Sequence, residues 1–143
     1  MPSAARPEPT GNVVIVEKLY AAFAARDINA ILAALAEDVI WQEPVNPWNP
    51  PASTRRGRAG FLDWARIGAA SEEILVLAPR DFLANANMVA VVGFTECRVK
   101  ATGKSYATDF VQLITLDNGK VTRFQEFFDT FAAAAAFRGE ESF

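Results

Sequence analysis

The complete lack of histidine limits the chemistry that this chain can perform. Its 143 residues include no His and a single cysteine, Cys97. Ser/His/Asp triads, Cys/His nucleophiles, HExxH zinc sites, facial-triad iron sites and haem sites with a proximal His all need imidazole. One cysteine forms neither an intrachain disulfide nor a thiolate metal cluster. Proton transfer must therefore use carboxyl groups with shifted pKa values, or Tyr, Lys or Cys97, and we expect no metal and no cofactor.

Two glutamates stand where acid/base chemistry would need them. Glu43 ends a short segment of β-branched and aromatic residues, directly before Pro44, and Glu126 lies between Phe124 and Phe128 on one face of a strand. A carboxyl group that faces an apolar cavity has a raised pKa, which suits it to abstract a proton. The alternatives are that Glu43 is a solvated carboxylate at a strand end, and that Glu126 forms an outward ion pair because the odd-numbered residues of its strand face inward.

Helices are predicted in the first half of the chain. Apolar residues at i, i+3, i+4 and i+7 predict a helix over about 12–25 with Asn12 as its N-cap, and Asp27 caps a second helix that forms a hairpin with the first. The segment 44–58 holds four prolines and reads as a long loop. A third helix, anchored by Trp64, is expected after it.

Strands are predicted mainly in the second half. A short strand is expected over 38–43, and four longer ones over 72–83, 88–100, 104–116 and 120–128 form an antiparallel meander. Asn118-Gly119 is a hairpin signal, and Asp129 can cap a short alanine-rich helix. Helices followed by adjacent strands indicate an α+β fold.

The composition describes one domain with enough apolar material for a core. Hydrophobic residues make up 51% of the chain, and its net charge of −3 disfavours nucleic acid and anionic lipid as partners. The longest apolar runs are too short to span a bilayer, so we expect a cytoplasmic protein without membrane segments. We divide the chain into a disordered leader (1–11), one domain (12–138) and a tail (139–143).

Both faces of the strand that begins near Met88 are apolar for half of its length. A sheet that helices cover on one side normally carries polar residues on its other side, so an apolar second face indicates contact with another subunit. We therefore predict a homodimer through the open face of the sheet.

The order of these elements resembles the nuclear transport factor 2 superfamily, and most closely its SnoaL-like and ketosteroid-isomerase-like branch, over residues 13–138. The motifs that carry the resemblance are Tyr20-Ala21-Ala22-Phe23, Glu43-Pro44, Thr102-Gly103-Lys104, Asn118-Gly119-Lys120-Val121 and Glu126-Phe127-Phe128-Asp129. The resemblance implies a cone: a curved mixed sheet wrapped around three N-terminal helices, with a short C-terminal helix. It does not specify an activity, because this fold hosts many.

Ketosteroid isomerases place an aspartate base directly before a proline at the end of the first strand, which is the place of Glu43 here. The position of their oxyanion-hole tyrosine falls on Leu19, beside Tyr20, and that of their protonated aspartate falls near Gln112. The resemblance thus implies a cofactor-independent isomerase, cyclase or hydrolase that acts on a small apolar molecule carrying a polar group. Glu43 would be the base and Glu126 a second acid or orienting group.

Two alternatives remain open. Limonene-epoxide hydrolases are similar over residues 102–106, but only Glu126 matches their acid set, because Thr95 and Gly93 stand where those enzymes have Asp and Arg. The other alternative is a ligand-binding or assembly module without turnover, as occurs in this superfamily.

The predicted site therefore has two catalytic residues and a set of substrate-binding residues. Tyr20 and Trp41 either shape the substrate cavity or are ordinary core residues. The substrate-binding set is Tyr20, Trp41, Trp64, Thr95, Cys97, Phe110, Gln112, Phe124 and Phe128.

Overall fold

The computed structural model describes residues 11–140, so nearly all of the expected leader and the last three residues of the tail lie outside the described part. The elements are α1 (Gly11–Ala24), α2 (Ile28–Ala34), β1 (Leu35–Gln42), β2 (Thr54–Arg56), α3 (Gly57–Ser71), β3 (Glu72–Ala84), β4 (Met88–Val99), β5 (Ser105–Asp117), β6 (Lys120–Phe128) and α4 (Thr130–Phe137). Within these residues no helix has both the length and the apolar character that crossing a bilayer requires.

The strands form one six-stranded sheet in the order β2-β1-β6-β5-β4-β3. The predicted meander from β3 to β6 is antiparallel, whereas β1 joins β6 in parallel, so the sheet is mixed. The α+β class and the cone-like arrangement of helices and curved sheet are confirmed. The prediction of an unbroken loop over 44–58 is wrong, because β2 lies within it and pairs with the end of β1. Two of its three residues are arginines. The strand therefore forms because it pairs with β1, and not because its own residues strongly prefer strand structure.

Side-chain caps explain where two of the helices begin. Asp27 accepts a hydrogen bond from the backbone N–H of Ala30 at 3.1 Å, and Asp129 accepts one from Ala132 at 3.0 Å, as predicted. The prediction that Asn12 caps α1 is wrong. The helix already begins at Gly11, and the Asn12 side chain donates instead to a backbone carbonyl in the turn between β3 and β4.

A bulge in β6 determines which of its residues face the core. Thr115 pairs with Arg123 but Leu116 pairs with Val121, so the alternation shifts by one residue between them. Val121 and Phe124 are consequently both buried, and Glu126 follows Phe124 on the inner face. The outward alternative for Glu126 therefore does not hold.

The core lies between the concave face of the sheet and the three N-terminal helices. Its largest fully buried side chains are Trp41, Phe61, Phe110, Ile31, Leu35 and Ile114. β4 approaches its neighbours so closely at Gly93 that a Cβ there would lie 2.5 Å from a ring carbon of Phe110 and 2.6 Å from the carbonyl of Ala78. Only glycine fits at that position.

Candidate active site

The two glutamates selected from the sequence meet inside the fold. β1 and β6 run in parallel with Gln42 opposite Gln125, so the next residues along, Glu43 and Glu126, are neighbours. Their carboxyl groups share a hydrogen bond. Glu43 is only 6% exposed, and Glu126 is partly buried. Neither side chain is the solvated surface carboxylate of the alternative interpretation.

Burial is the main cause of raised pKa values at this pair. It raises the pKa of Glu43 well above its usual range, and the negative charge of Glu126 adds to that increase. Burial also raises the pKa of Glu126, while the hydrogen bond from Glu43 acts in the opposite direction. Two adjacent carboxyl groups titrate as a unit. Burial therefore favours protonation of the pair, with Glu43 as the donor and Glu126 as the acceptor of their hydrogen bond.

Polar partners hold both ends of the pair. The Trp64 side chain forms a hydrogen bond with Glu43, which favours the charged form of that carboxyl group. Gln112 lies directly opposite Glu126 in the sheet and donates through Nε2 to its Oε2, and the Tyr20 hydroxyl donates to Oε1 of Gln112. Burial raises the pKa of Tyr20, so its hydroxyl remains a donor. The five side chains form one hydrogen-bonded chain across the interior.

Aromatic side chains form the wall beside this chain. Trp41 stacks on Phe124 with ring centroids 3.9 Å apart and planes 9° apart, and it contacts Trp64 at 5.0 Å and Phe61 at 4.8 Å. The Nε1–H of Trp41 is buried and has no hydrogen-bond partner among the described residues. An unpaired buried donor costs about 1–3 kcal/mol, so this N–H is unusual in a protein interior.

A second polar cluster lies farther along the inner face of the sheet. The Tyr106 hydroxyl donates to Oε1 of Glu72 at 2.7 Å, and Cys97, which lies opposite Tyr106 in the sheet, is buried beside them. Thr95 lies 3.7 Å from the Cys97 sulfur and donates to the Val76 carbonyl at 2.8 Å. Burial raises the pKa of the Cys97 thiol to about 11, so it is not poised as a nucleophile.

Sequence reasoning found most of these residues but missed Glu72 and Tyr106. Tyr106 stands two positions before Thr108 and four before Phe110, so alternation along β5 was a signal that could have placed it on the inner face. Glu72 gave no such signal, because it is the first residue of β3 and that strand shifts register between Ile74 and Val76.

The remaining predicted residues are core side chains near the two polar groups. Phe110 is buried beneath Gly93, and Phe128 is partly buried and packs against the residues around both polar groups. Neither has a polar group to offer.

Two surface depressions lie away from the carboxyl pair. One of about 390 Å³ is lined by α1 and α2, and one of about 240 Å³ lies at the turn between β3 and β4. Neither is lined by Glu43 or Glu126, so the predicted cavity at the carboxyl pair stays a prediction. In the described part of the chain, no group of three acidic or cysteine side chains is placed to hold a metal ion.

Comparisons with known proteins agree with the architecture. An NTF2-like protein from Burkholderia xenovorans LB400 is 38% identical, with a TM-score of 0.82, 89% of this chain covered and 95% of that one. TerC, co-crystallized with polyporic acid, is 28% identical with a TM-score of 0.78, over 90% of this chain and 99% of that one. A protein from Pseudomonas putida KT2440, provisionally named a polyketide cyclase, has the same fold at 21% identity and a TM-score of 0.74, over 90% and 98% of the two chains. No curated protein matches the chain in sequence. The model of the SnoaL-like domain matches residues 16–124, and the chain therefore belongs to the SnoaL-like branch of the nuclear transport factor 2 superfamily.

Proposed function

We propose that this chain is a cofactor-independent acid/base enzyme, an isomerase, cyclase or hydrolase, that uses Glu43 and Glu126 as a pair. One observation carries the proposal: two carboxyl groups are hydrogen-bonded to each other beside an aromatic wall. Burial of carboxyl groups is costly, and side chains with strongly shifted pKa values cluster at functional sites.

The proton shared by the pair allows it to act as both base and acid. At rest the proton lies on Glu43; its transfer to Glu126 across their hydrogen bond leaves Glu43 as the carboxylate, which the Trp64 hydrogen bond stabilises. Glu43 then removes a proton from a carbon next to a carbonyl group, and the electron pair moves to the carbonyl oxygen. Return of a proton to another carbon or to oxygen completes the cycle, so no net proton is consumed.

A donor for the developing negative charge is present in the aromatic wall. Trp41 Nε1–H is buried and has no partner among the described residues, and Trp41 contacts Trp64, which binds Glu43. A fixed donor in a dry site stabilises an oxyanion strongly, because it needs no reorganisation during the reaction. Tyr20 and Gln112 instead hold Glu126 in place. We assign the Nε1–H of Trp41 as the donor of a hydrogen bond to the substrate oxygen.

The site favours an aromatic or alicyclic substrate. Its wall consists of stacked and tilted rings, and polar groups are confined to the hydrogen-bonded chain. TerC, which is 28% identical, was co-crystallized with polyporic acid, so the proposal that this chain binds a small molecule has a precedent in a relative.

Deuterium exchange of β-tetralone tests the proposal. This ketone has an acidic C–H group beside its carbonyl, and proton NMR in heavy water follows the loss of that hydrogen. We expect the protein to accelerate exchange, and Glu43→Gln and Glu126→Gln each to lower the rate by about 100-fold or more. Glu37→Gln, at an exposed position, is the matched control. A fully active Glu43→Gln variant would remove Glu43 from the role of base.

Ligand binding without turnover is the second candidate function. It is favoured by the hydrogen bond that engages the Tyr20 hydroxyl with Gln112, because that donor is then not directed to a substrate oxygen. This candidate predicts saturable quenching of tryptophan fluorescence by β-tetralone without accelerated exchange.

We also propose that the protein acts as a homodimer. Val111 on the outer face lies between Val92 and Phe127 of the neighbouring strands, and Phe127 is 48% exposed although it is aromatic. A second copy of this face would bury these side chains.

A further inference from the structure

The cluster of Glu72, Tyr106 and Cys97 takes no part in the proton transfer described above. Tyr106 is 4% exposed and Cys97 is 5% exposed, and the Tyr106 hydroxyl donates to Oε1 of Glu72 at 2.7 Å. The cluster lies on the inner face of β3, β4 and β5, which is the face that carries Gln112 and the carboxyl pair.

Folding alone gives no reason for a carboxyl group in this position. A buried carboxyl and phenol lose their hydration, and apolar side chains of similar volume would fill the same space at lower cost. The neighbouring contacts are apolar, because Ala132, Ala133 and Ala136 of α4 pack around Tyr106 and Cys97.

The cluster and the carboxyl pair belong to one interior. Burial is the main cause of the raised pKa of Glu72 and of Glu43; the charge of Glu126 adds to the first increase and the charge of Glu72 to the second, so the three carboxyl groups influence one another. Phe128 packs against the buried residues around both groups. A single ligand that lies along the inner face of the sheet would therefore contact both.

The hydrogen bonds within the cluster determine which ligand group it would accept. The hydroxyl proton of Tyr106 is used on Oε1 of Glu72, and the Cys97 side chain also forms a hydrogen bond with Glu72. The phenol oxygen and the remaining lone pairs of the Glu72 carboxyl group can still accept, because each carboxylate oxygen takes more than one hydrogen bond. We infer that Glu72 and Tyr106 form a distal subsite, which accepts a hydrogen bond from a hydroxyl group at the end of the ligand opposite the reacting carbon. The inference rests on the proposed use of this interior as a ligand site, but it does not require turnover.

Three related ketones test the distal subsite by binding. Dissociation constants of β-tetralone, 6-hydroxy-β-tetralone and 6-methoxy-β-tetralone are measured by tryptophan fluorescence; the methoxy compound accepts a hydrogen bond but cannot donate one. We expect the hydroxy compound to bind about tenfold more tightly than the other two. Tyr106→Phe and Glu72→Gln should each reduce this preference to about twofold or less while leaving the affinity for β-tetralone within about twofold. Glu73→Gln, the exposed neighbour of Glu72, should keep the full preference.

The outcomes separate this inference from the proposed catalysis. The inference is overturned if the wild type does not bind the hydroxy compound more tightly, or if the preference survives in both variants. Circular dichroism identifies a variant that does not fold. If one of the two variants is unfolded, the binding preference of the other variant decides whether the inference holds. The rate of deuterium exchange, measured on the same samples, reports on catalysis alone. Tighter binding of the hydroxy compound without accelerated exchange would support the distal subsite and contradict the proposed enzymatic activity.

Discussion

The raised pKa values of the carboxyl pair make the stability of the protein depend on pH. Glutamate in an unfolded chain has a pKa of about 4.3, and burial raises the pKa of both Glu43 and Glu126 above that value in the folded protein. Between the unfolded and folded pKa values the folded state binds more protons, so the free energy of unfolding falls as the pH rises. The stabilising contribution of the pair is therefore complete below the unfolded pKa and is lost as the pH passes through the raised folded values.

Removal of both charges should abolish this pH dependence. We expect the Glu43→Gln/Glu126→Gln double variant to gain stability relative to the wild type between about pH 4 and pH 8, by about 1.4 kcal/mol for each unit of pKa shift removed. Urea unfolding across this pH range measures the difference. Glu37→Gln, an exposed acid on β1, is the control. A difference between double variant and wild type that stays constant with pH would contradict the raised pKa values.

The unpaired N–H of Trp41 makes a separate prediction. Trp41→Phe keeps an aromatic ring against Phe124 but removes the donor. We expect the exchange rate of β-tetralone to fall by about tenfold or more, with a smaller change in its affinity, because the donor acts on charge that develops during the reaction. Trp48→Phe, in the loop before β2, should leave the rate unchanged. An equal loss of affinity and rate would identify Trp41 as a packing residue.

The residues of the pair could be chosen from the sequence, but their meeting could not. Glu43 stood out because it precedes Pro44, and Glu126 because aromatic residues flank it at alternate positions. Their contact depends on the parallel pairing of β1 with β6, which joins segments about 80 residues apart and leaves no local pattern. The bulge near Thr122 changes which residues of β6 face inward, and only the pairing with β5 reveals it.

Local sequence signals correctly predicted the helix caps and the hairpin, because these features depend on residues that are close together in the chain. The caps at Asp27 and Asp129 and the hairpin at Asn118-Gly119, where both residues have positive φ, appear as expected. β2 was not predicted, because it forms by pairing with β1 and its own residues do not indicate a strand. This strand also helps to fix the site, since the segment between Pro44 and β2 is held where the Glu43 N–H donates to the Ser53 carbonyl at 2.9 Å.

The segment between Glu43 and β2 is also attached to the C-terminal helix. The Asn46 amide donates to the Thr130 carbonyl at 3.2 Å, and the Arg138 guanidinium lies 4.8 Å from the ring centre of Trp48. These contacts connect α4 to the residues that directly follow Glu43, so the helix helps to position the end of β1.

Close packing around Gly93 leaves no space for a side chain at that position. We expect Gly93→Ala to destabilise the protein by about 1–3 kcal/mol or more, because the new methyl group would meet both the Phe110 ring and the Ala78 carbonyl. Gly68→Ala in α3 is the matched control. Nothing lies within 4 Å of its added Cβ, so alanine there should be neutral or stabilise the helix by about 0.5–1 kcal/mol. Thermal unfolding of both variants measures the contrast, and equal midpoints would contradict the close packing at Gly93.

The sheet has two faces with different surroundings. The concave face carries the carboxyl pair and the core, and the helices cover it. The convex face carries apolar side chains such as Val92, Val111 and Leu113, which are only partly buried in the monomer. Alternation along β4 predicted apolar side chains on both faces from the sequence, because that strand is apolar at odd and even positions over half of its length.

A charge at the centre of the convex face should separate the predicted dimer. Val111 pairs with Val92 on one side and Phe127 on the other, so Val111→Lys places an ammonium group where two copies would meet. We expect the wild type to elute with twice the mass of the chain in size-exclusion chromatography with light scattering, and the variant to elute as a folded monomer, because an unpaired charge buried in an interface is strongly unfavourable. Val14→Lys, at an exposed position of α1, should remain dimeric.

A monomeric wild type would contradict the dimer, and a dimeric Val111→Lys variant would place the contact elsewhere. Since Gln112 follows Val111 on the opposite face, the exchange assay on the monomeric variant would then show whether association also supports the arrangement of the carboxyl pair.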